Sequence, residues 1–185
     1  MKLYGSYTSP YVRHCRIVIL ELNIDCEFVE TDQAGSAARS PTQRVPFLED
    51  GNIFLSDSSA IIKYLREKNG QSFCPTAIDL NNFCLVNTAI DSLANLFFIK
   101  RDGINIDQSP YLQRQAARIQ STFNELNAIP FSLTAPYNDA DLRLACVMGW
   151  TKFRNQFDFS GLSNLESFYT LISSYQPFAK TAPPA

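Results

Sequence analysis

The chain has 185 residues, 45% of them apolar and 18% charged, with a formal net charge of -2, a composition that supports one ordinary or two small globular domains with a real core. No run of lysine or arginine gives the electrostatic footprint of a nucleic-acid or anionic-membrane partner, and no stretch approaches the roughly eighteen uninterrupted apolar residues of a membrane span. With a single histidine and five cysteines that lack C-x-x-C spacing, a disulfide framework, a zinc site or a His-rich metal centre is not expected.

All five cysteines (15, 26, 74, 84 and 146) are therefore expected as buried structural thiols. The opening "MKLYGSY" lacks the apolar core of a signal peptide, which points to the cytoplasm. Leu3 and Tyr4 form a short apolar run before the Gly5-Ser6 turn signal, and a helix opens at Pro10. Its apolar positions, Tyr11 or Val12, Cys15, Val18 or Ile19, and Leu22, recur at spacings of three and four, with Arg13, Arg16 and Glu21 between them. After Asn23 ends the helix, "CEFVE" (26 to 30) reads as a second strand. Residues 31 to 42 are small and polar, and are expected to form a loop with at most a weak helix. In "VPFLEDGNIFLSD" two strands flank Asp50-Gly51, a dipeptide suited to a tight hairpin. A helix over 58 to 68 puts Ala60, Ile61, Tyr64 and Leu65 on one face, and Asn69-Gly70 supplies its left-handed cap.

Past "GQSFCP" (70 to 75) the strand signals disappear, and helical patterns cover 76 to 101, 109 to 128, 139 to 157 and 163 to 175. The change predicts an α/β domain over 1 to 70 and an all-helical domain over 76 to 185. The proline-rich "PFAKTAPPA" (177 to 185) is expected to pack loosely. Asn138, three residues before Asp141, suggests a capping box. Phe97, Phe98, Tyr111, Tyr137 and Trp150 read either as core or as walls of an apolar pocket.

The chemistry concentrates in "SPYV" (9 to 12). It sits where a redox dithiol would read C-P-Y-C, but Ser9 and Val12 occupy the two cysteine places, which excludes dithiol exchange there. What remains is a hydroxyl at a helix N-terminus, where unpaired N-H groups and the helix dipole favour an anion, including a thiolate that belongs to a ligand. With Pro10 in the first helical position, Ser9 reads equally as a helix cap. His14 lies five residues further on, about 500 degrees around the helix, so a serine-histidine dyad is not formed.

"SYTSPYVRHCRIVILEL" and "RVPFLEDGNIFLSDSSAIIKYL" (44 to 65) resemble the first helix and the second diagnostic segment of the cytosolic glutathione S-transferase superfamily, especially its bacterial, tau-like and omega-like members with Ser-Pro or Cys-Pro. The resemblance implies a thioredoxin-like α/β N-terminal domain followed by an all-α helical bundle. It implies that Ser9 hydrogen-bonds the sulfur of glutathione, with Thr8 and then Tyr7 as alternatives. It further implies that Val45-Pro46 is a cis-proline step whose Val45 backbone pairs with the glutathione peptide, that Asp57 and Ser58 bind the γ-glutamyl end, and that Arg44 pairs with the glycyl carboxylate. The family often has glutamate where Asp57 stands, and Gly-Lys where Gln43-Arg44 stands. Glutathione would be a co-substrate, with no metal and no tightly bound cofactor, and the protein a homodimeric transferase joining glutathione to a small apolar electrophile in detoxification. Two alternatives stay open: a non-catalytic relative resembling the stringent starvation proteins that bind RNA polymerase, and an omega-like thiol transferase, which uses cysteine where Ser9 stands. A free thiol of pKa about 8.5 is only about 3% thiolate at neutral pH, and lowering it by ~2 units requires about 2.7 kcal/mol of differential stabilisation. One charge-assisted hydrogen bond and a helix dipole suffice for that.

Overall fold

The computed structural model describes residues 1–184. Two compact units emerge: Met1–Phe73 together with Ser173–Ala185, and Cys74–Ile172. In the first unit, strands β1 (Lys2–Gly5), β2 (Glu27–Glu30), β3 (Phe47–Asp50) and β4 (Ile53–Leu55) form one sheet in the order β2-β1-β3-β4. The β1-β2 pair is parallel, and β1-β3 and β3-β4 are antiparallel. Side chains alternate across the pleat. Leu3 and Leu48 thus meet Cys15 and Val18 of α1 (Pro10–Glu21) and Ile61, Ile62 and Leu65 of α3 (Ser58–Lys68) in a fully buried cluster. The intervening positions, Tyr4 and Phe47, stack on each other with centroids 4.5 Å apart. This mixed sheet with its helices is the thioredoxin-like arrangement.

Residues 31 to 42 depart from the expected loop. They contain α2 (Gln33–Arg39), whose start is capped by Asp32 Oδ1 accepting from Gly35 N at 2.7 Å. Its end is anchored by Arg39, which donates to the Tyr4 hydroxyl and to Glu49 Oε1, each at 2.9 Å, with its guanidinium over the Tyr4 ring. Tertiary contacts from the sheet thereby stabilise a helix whose own propensity is weak.

Where β1 turns toward α1, the backbone of Gly5 lies against Val12. A Cβ at Gly5 would come within 2.6 Å of both Val12 methyl carbons. Val12 is fully buried and, being β-branched, has little rotamer freedom with which to yield. Gly5→Ala is expected to cost about 1–3 kcal/mol, read as a lowered urea midpoint, and Val12→Ala in the same chain should restore part of it.

The second unit is helical: α4 (Ala77–Arg101), α5 (Pro110–Asn127), α6 (Asp139–Phe153) and α7 (Ser163–Ile172), with a 3-10 turn at Ile106–Gln108. A reciprocal capping box of Thr76 and Asp79 starts α4. The 25 residues of α4, with an 18-residue window of mean hydropathy 1.3, match a membrane-crossing helix in length and composition. Here Phe83, Val86, Ile90 and Leu93 are buried at helical spacing and α4 packs against α5 and α6, which makes it a core helix of this unit.

Helix α6 is buried from Asp139 to Thr151. Asn138 Oδ1 accepts from Asp141 N at 2.8 Å, which is the forward arm of the expected capping box. Burial pushes the Asp141 carboxyl up from 3.8 to about 6, so the fold disfavours its charge. The Asp141 contribution to stability is therefore greatest below pH ~4, the unfolded value, and declines as pH rises through about 6, by roughly 3 kcal/mol in all. Asp141→Asn cannot titrate. Urea unfolding of both proteins at pH 4 and pH 7 should show the variant gaining on the parent at the higher pH.

The C-terminal tail differs from its expectation. Instead of lying loose beside the helical half, it joins the first unit through α8 (Gln176–Lys180). Phe178 is 2% exposed and Thr181 fully buried. The cause is a buried arginine on α1: the Arg13 guanidinium lies 3.7 Å from the Phe178 ring centroid and donates to the Phe178 carbonyl at 2.8 Å. The cysteines need a second correction. All five lie outside any disulfide, but only Cys15 and Cys146 are buried; Cys26 and Cys74 are half-buried and Cys84 is exposed. Cys26 directly precedes the edge strand β2, Cys74 lies in the turn before α4, and Cys84 sits on the outer face of α4. Burial pushes the Cys74 thiol up to about 12, which leaves it unreactive.

Candidate functional site

Strand register brings the predicted residues together. Tyr4 pairs with Phe47 across β1-β3, and Leu48 with Leu55 across β3-β4. The residues just before β3 and just after β4 therefore emerge where β1 ends and α1 begins. Ser9, Val45-Pro46 and Asp57-Ser58 share that end of the sheet. Cys15 Sγ reaches the Ser58 carbonyl at 3.9 Å and ties α1 to the first residue of α3.

Ser9 is the N-cap of α1, with extended backbone (φ -79, ψ 126). Its Oγ accepts from Val12 N at 3.4 Å, a long cap bond, and its carbonyl accepts from Arg13 N at 2.9 Å. Among the described residues its hydroxyl proton goes to no protein group, and α1 carries no acidic residue in its first turn to offset the positive end of the helix. The alternatives are placed differently. Thr8 Oγ1 shares a hydrogen bond with Ser6 Oγ at 3.1 Å. The Tyr7 ring packs against Phe28 at 4.7 Å and under the Arg16 guanidinium at 4.6 Å.

The Val45-Pro46 bond is cis. Val45 stands outside the β1-β3 ladder and makes no backbone hydrogen bond among the described residues, so its N-H and C=O are open to an extended ligand. Asp57 caps α3 through Oδ1, which accepts from Ser59 N at 2.8 Å and Ala60 N at 3.3 Å. Asp57 is exposed, and Ser58 beside it is buried at 5% exposure. Arg44 is exposed and in no ion pair among the described residues. The arrangement offers one helix-end hydroxyl for an anionic sulfur, one backbone pair for a peptide, and a carboxylate with helix N-H groups for an amino-acid terminus.

His14 is fully buried and Cys15 lies in the core cluster, so neither side chain is exposed to a ligand. Of the five aromatics, Tyr137 and Trp150 are buried, and Phe97 meets Trp150 edge-on at 5.5 Å, as core residues do. Phe98 and Tyr111 are exposed. Sequence reasoning missed Arg13, which is 6% exposed. Its helical position reads as solvent-facing, and the one signal for its burial is a distant aromatic, Phe178, in a segment rich in proline.

The sequence model of the family "Glutathione S-transferase, N-terminal domain" matches residues 3–73. The uncharacterized GST-like protein YibF of Escherichia coli is 28% identical over 201 aligned positions that span 100% of this chain and 99% of its own. The probable glutathione S-transferase GSTF2 of rice is 34% identical over 104 residues, covering 52% of this chain and 48%, about half, of the rice protein. A glutathione S-transferase from Methylobacillus flagellatus, solved with glutathione bound, matches with a TM-score of 0.84 and 21% identity over 99% of both chains. Residues 3–73 thus match the glutathione S-transferase N-terminal domain family, and the chain as a whole shares the fold of that solved transferase.

Proposed function

We propose that the protein is a glutathione transferase that holds glutathione at the β1 end of the sheet, activates its thiol at Ser9, and transfers the sulfur to a small apolar electrophile. The Ser9 hydroxyl donates to the sulfur, and the α1 N-terminus favours its anionic form. Val45 pairs with the cysteinyl backbone, Asp57 and Ser58 take the γ-glutamyl ammonium and carboxylate, and Arg44 reaches the glycyl carboxylate. The thiol proton leaves to solvent, the thiolate forms the new carbon–sulfur bond, and the leaving group, a halide for an aryl halide, departs. The observation that carries this reading is the uncommitted Ser9 hydroxyl at a helix end without an acidic first turn. The proposal includes a two-fold homodimer acting in the cytoplasm. Serine in place of cysteine at position 9 disfavours a thiol transferase. Isothermal titration with glutathione tests the reading: micromolar-to-millimolar binding is expected, and no heat at millimolar glutathione would leave only the non-catalytic alternative.

A further inference from the structure

The tail packed on α1 holds the molecule's first helix at both ends. At the N-terminal end, Arg13 donates from one terminal nitrogen to the Phe178 carbonyl at 2.8 Å and from Nε to Thr181 Oγ1 at 3.4 Å, with its guanidinium 3.7 Å from the centroid of the Phe178 ring. Thr181 Oγ1 in turn donates to a carbonyl of the same segment, Pro177 O at 2.9 Å or Phe178 O at 3.0 Å, which locks the turn that receives Arg13. Arg16, one turn further along α1, reaches the Thr181 carbonyl at 3.5 Å. At the C-terminal end, the Tyr175 hydroxyl donates to Glu21 Oε1 at 2.7 Å.

We infer that the segment Tyr175–Thr181 is a strap that fixes Arg13 and, through Arg13, the first turn of α1, and so sets how strongly the site at Ser9 favours an anionic sulfur. Two features of Arg13 support this. Its backbone N-H closes the first helical bond onto the Ser9 carbonyl at 2.9 Å, so any displacement of Arg13 moves the cap. Its side chain contacts only neutral groups, a carbonyl, a hydroxyl and a ring face, so its positive charge is buried beside the cap without a carboxylate partner among the described residues. Helical side chains lean back toward the N-terminus, which sets that charge over the turn that begins at Ser9. A charge held in place at low exposure acts on a nearby anion far more strongly than one free in solvent. Arg13 is a positioning residue in this scheme, since it acts through Ser9 and the helix end without touching the sulfur.

The inference rests on the proposed activation of glutathione at Ser9, and the experiment separates the two. The thiolate absorbance of bound glutathione is titrated against pH in the full-length protein, in Phe178→Leu, which keeps apolar bulk but removes the ring face, in Phe178→Tyr, which keeps the face, and in a chain ending at Tyr175. The parent should show a bound thiol about 2 units more acidic than free glutathione. Phe178→Leu and the shortened chain should raise it by about one unit and lower kcat/KM at pH 6.5 by about two- to fivefold, with the loss closing above pH 9, while Phe178→Tyr restores the parent profile. If the shortened chain fails to fold, the two Phe178 variants decide alone. An unchanged titration in a folded Phe178→Leu protein overturns the strap. A parent protein with no thiolate signal overturns the activation at Ser9 and, with it, the strap.

Discussion

Ser9→Ala is expected to raise the apparent pKa of bound glutathione by about 2 units and to lower kcat/KM toward an aryl halide at pH 7 by at least about tenfold. The thiolate fraction alone falls from about three quarters to about 3%, roughly 25-fold. A more basic thiolate is also a better nucleophile, with a Brønsted slope of about 0.4–0.5, and this offsets part of the loss. Losing the hydrogen bond that orients the sulfur acts in the opposite direction, so the fraction and orientation losses dominate at neutral pH and fade at alkaline pH. The same substitution removes the α1 cap, worth about 1 kcal/mol. A cap-only role therefore predicts a lower melting temperature with an unmoved pH profile, and that pattern would sink the activation reading. Thr8→Val should stay within about threefold of the parent at all pH values, because the Thr8 hydroxyl already pairs with Ser6. If Thr8→Val instead takes the loss, the contact to sulfur belongs to Thr8.

The parts of the fold that the sequence disclosed are those built from local signals. Apolar spacing in 10 to 22, the Asp50-Gly51 hairpin and the Asn69-Gly70 cap each specify their own element, and all appear as read, with Gly51 and Gly70 at positive φ. The local geometry of the candidate site follows the same rule: a cap serine before a proline, a valine-proline step and a cap at the next helix are each short-range features, and each forms. What escaped was decided by long-range partners. Residues 33–39 are helical because Arg39 finds Tyr4 and Glu49 on two strands. Residues 176–180 are helical and buried because Arg13 lies some 165 positions earlier in the chain. Neither partner leaves a trace in the segment it stabilises. Cysteine exposure failed for a related reason: residue type predicts burial on average, while Cys84 falls on the solvent side of α4. The capping box at Thr76–Asp79 carried a readable local signal and went unread, whereas the one read at Asn138–Asp141 forms its forward arm.

The largest stability effect is expected at the pair that joins α1, α3 and the tail. Arg66 donates to Glu21 Oε2 at 2.7 Å, with side-chain exposures of only 8% and 10%. The remaining groups are satisfied around it: Arg66 also donates to Gln71 Oε1 at 2.9 Å, and the second oxygen of Glu21 accepts from the Tyr175 hydroxyl. Taking either charge away alone leaves the other buried without its partner, which typically costs 3–5 kcal/mol, far more than the about 0–1 kcal/mol of an exposed pair. Glu21→Ala or Arg66→Ala should therefore lower the melting temperature by about 10 °C in a chain of this size. The pair need not be a large net gain over apolar packing, because both ions surrender their hydration. Glu21→Leu combined with Arg66→Met should accordingly lie much closer to the parent than either single alanine variant, giving a coupling of at least about 2 kcal/mol in a double-mutant cycle. Single variants that each lose less than about 1 kcal/mol would mean that water reaches the pair and screens it as it would a surface bridge. Hydrogen exchange at the C-terminal end of α1 then distinguishes the two cases: slow exchange that accelerates in Glu21→Ala places the pair inside the cooperative core, and fast exchange in the parent places it outside.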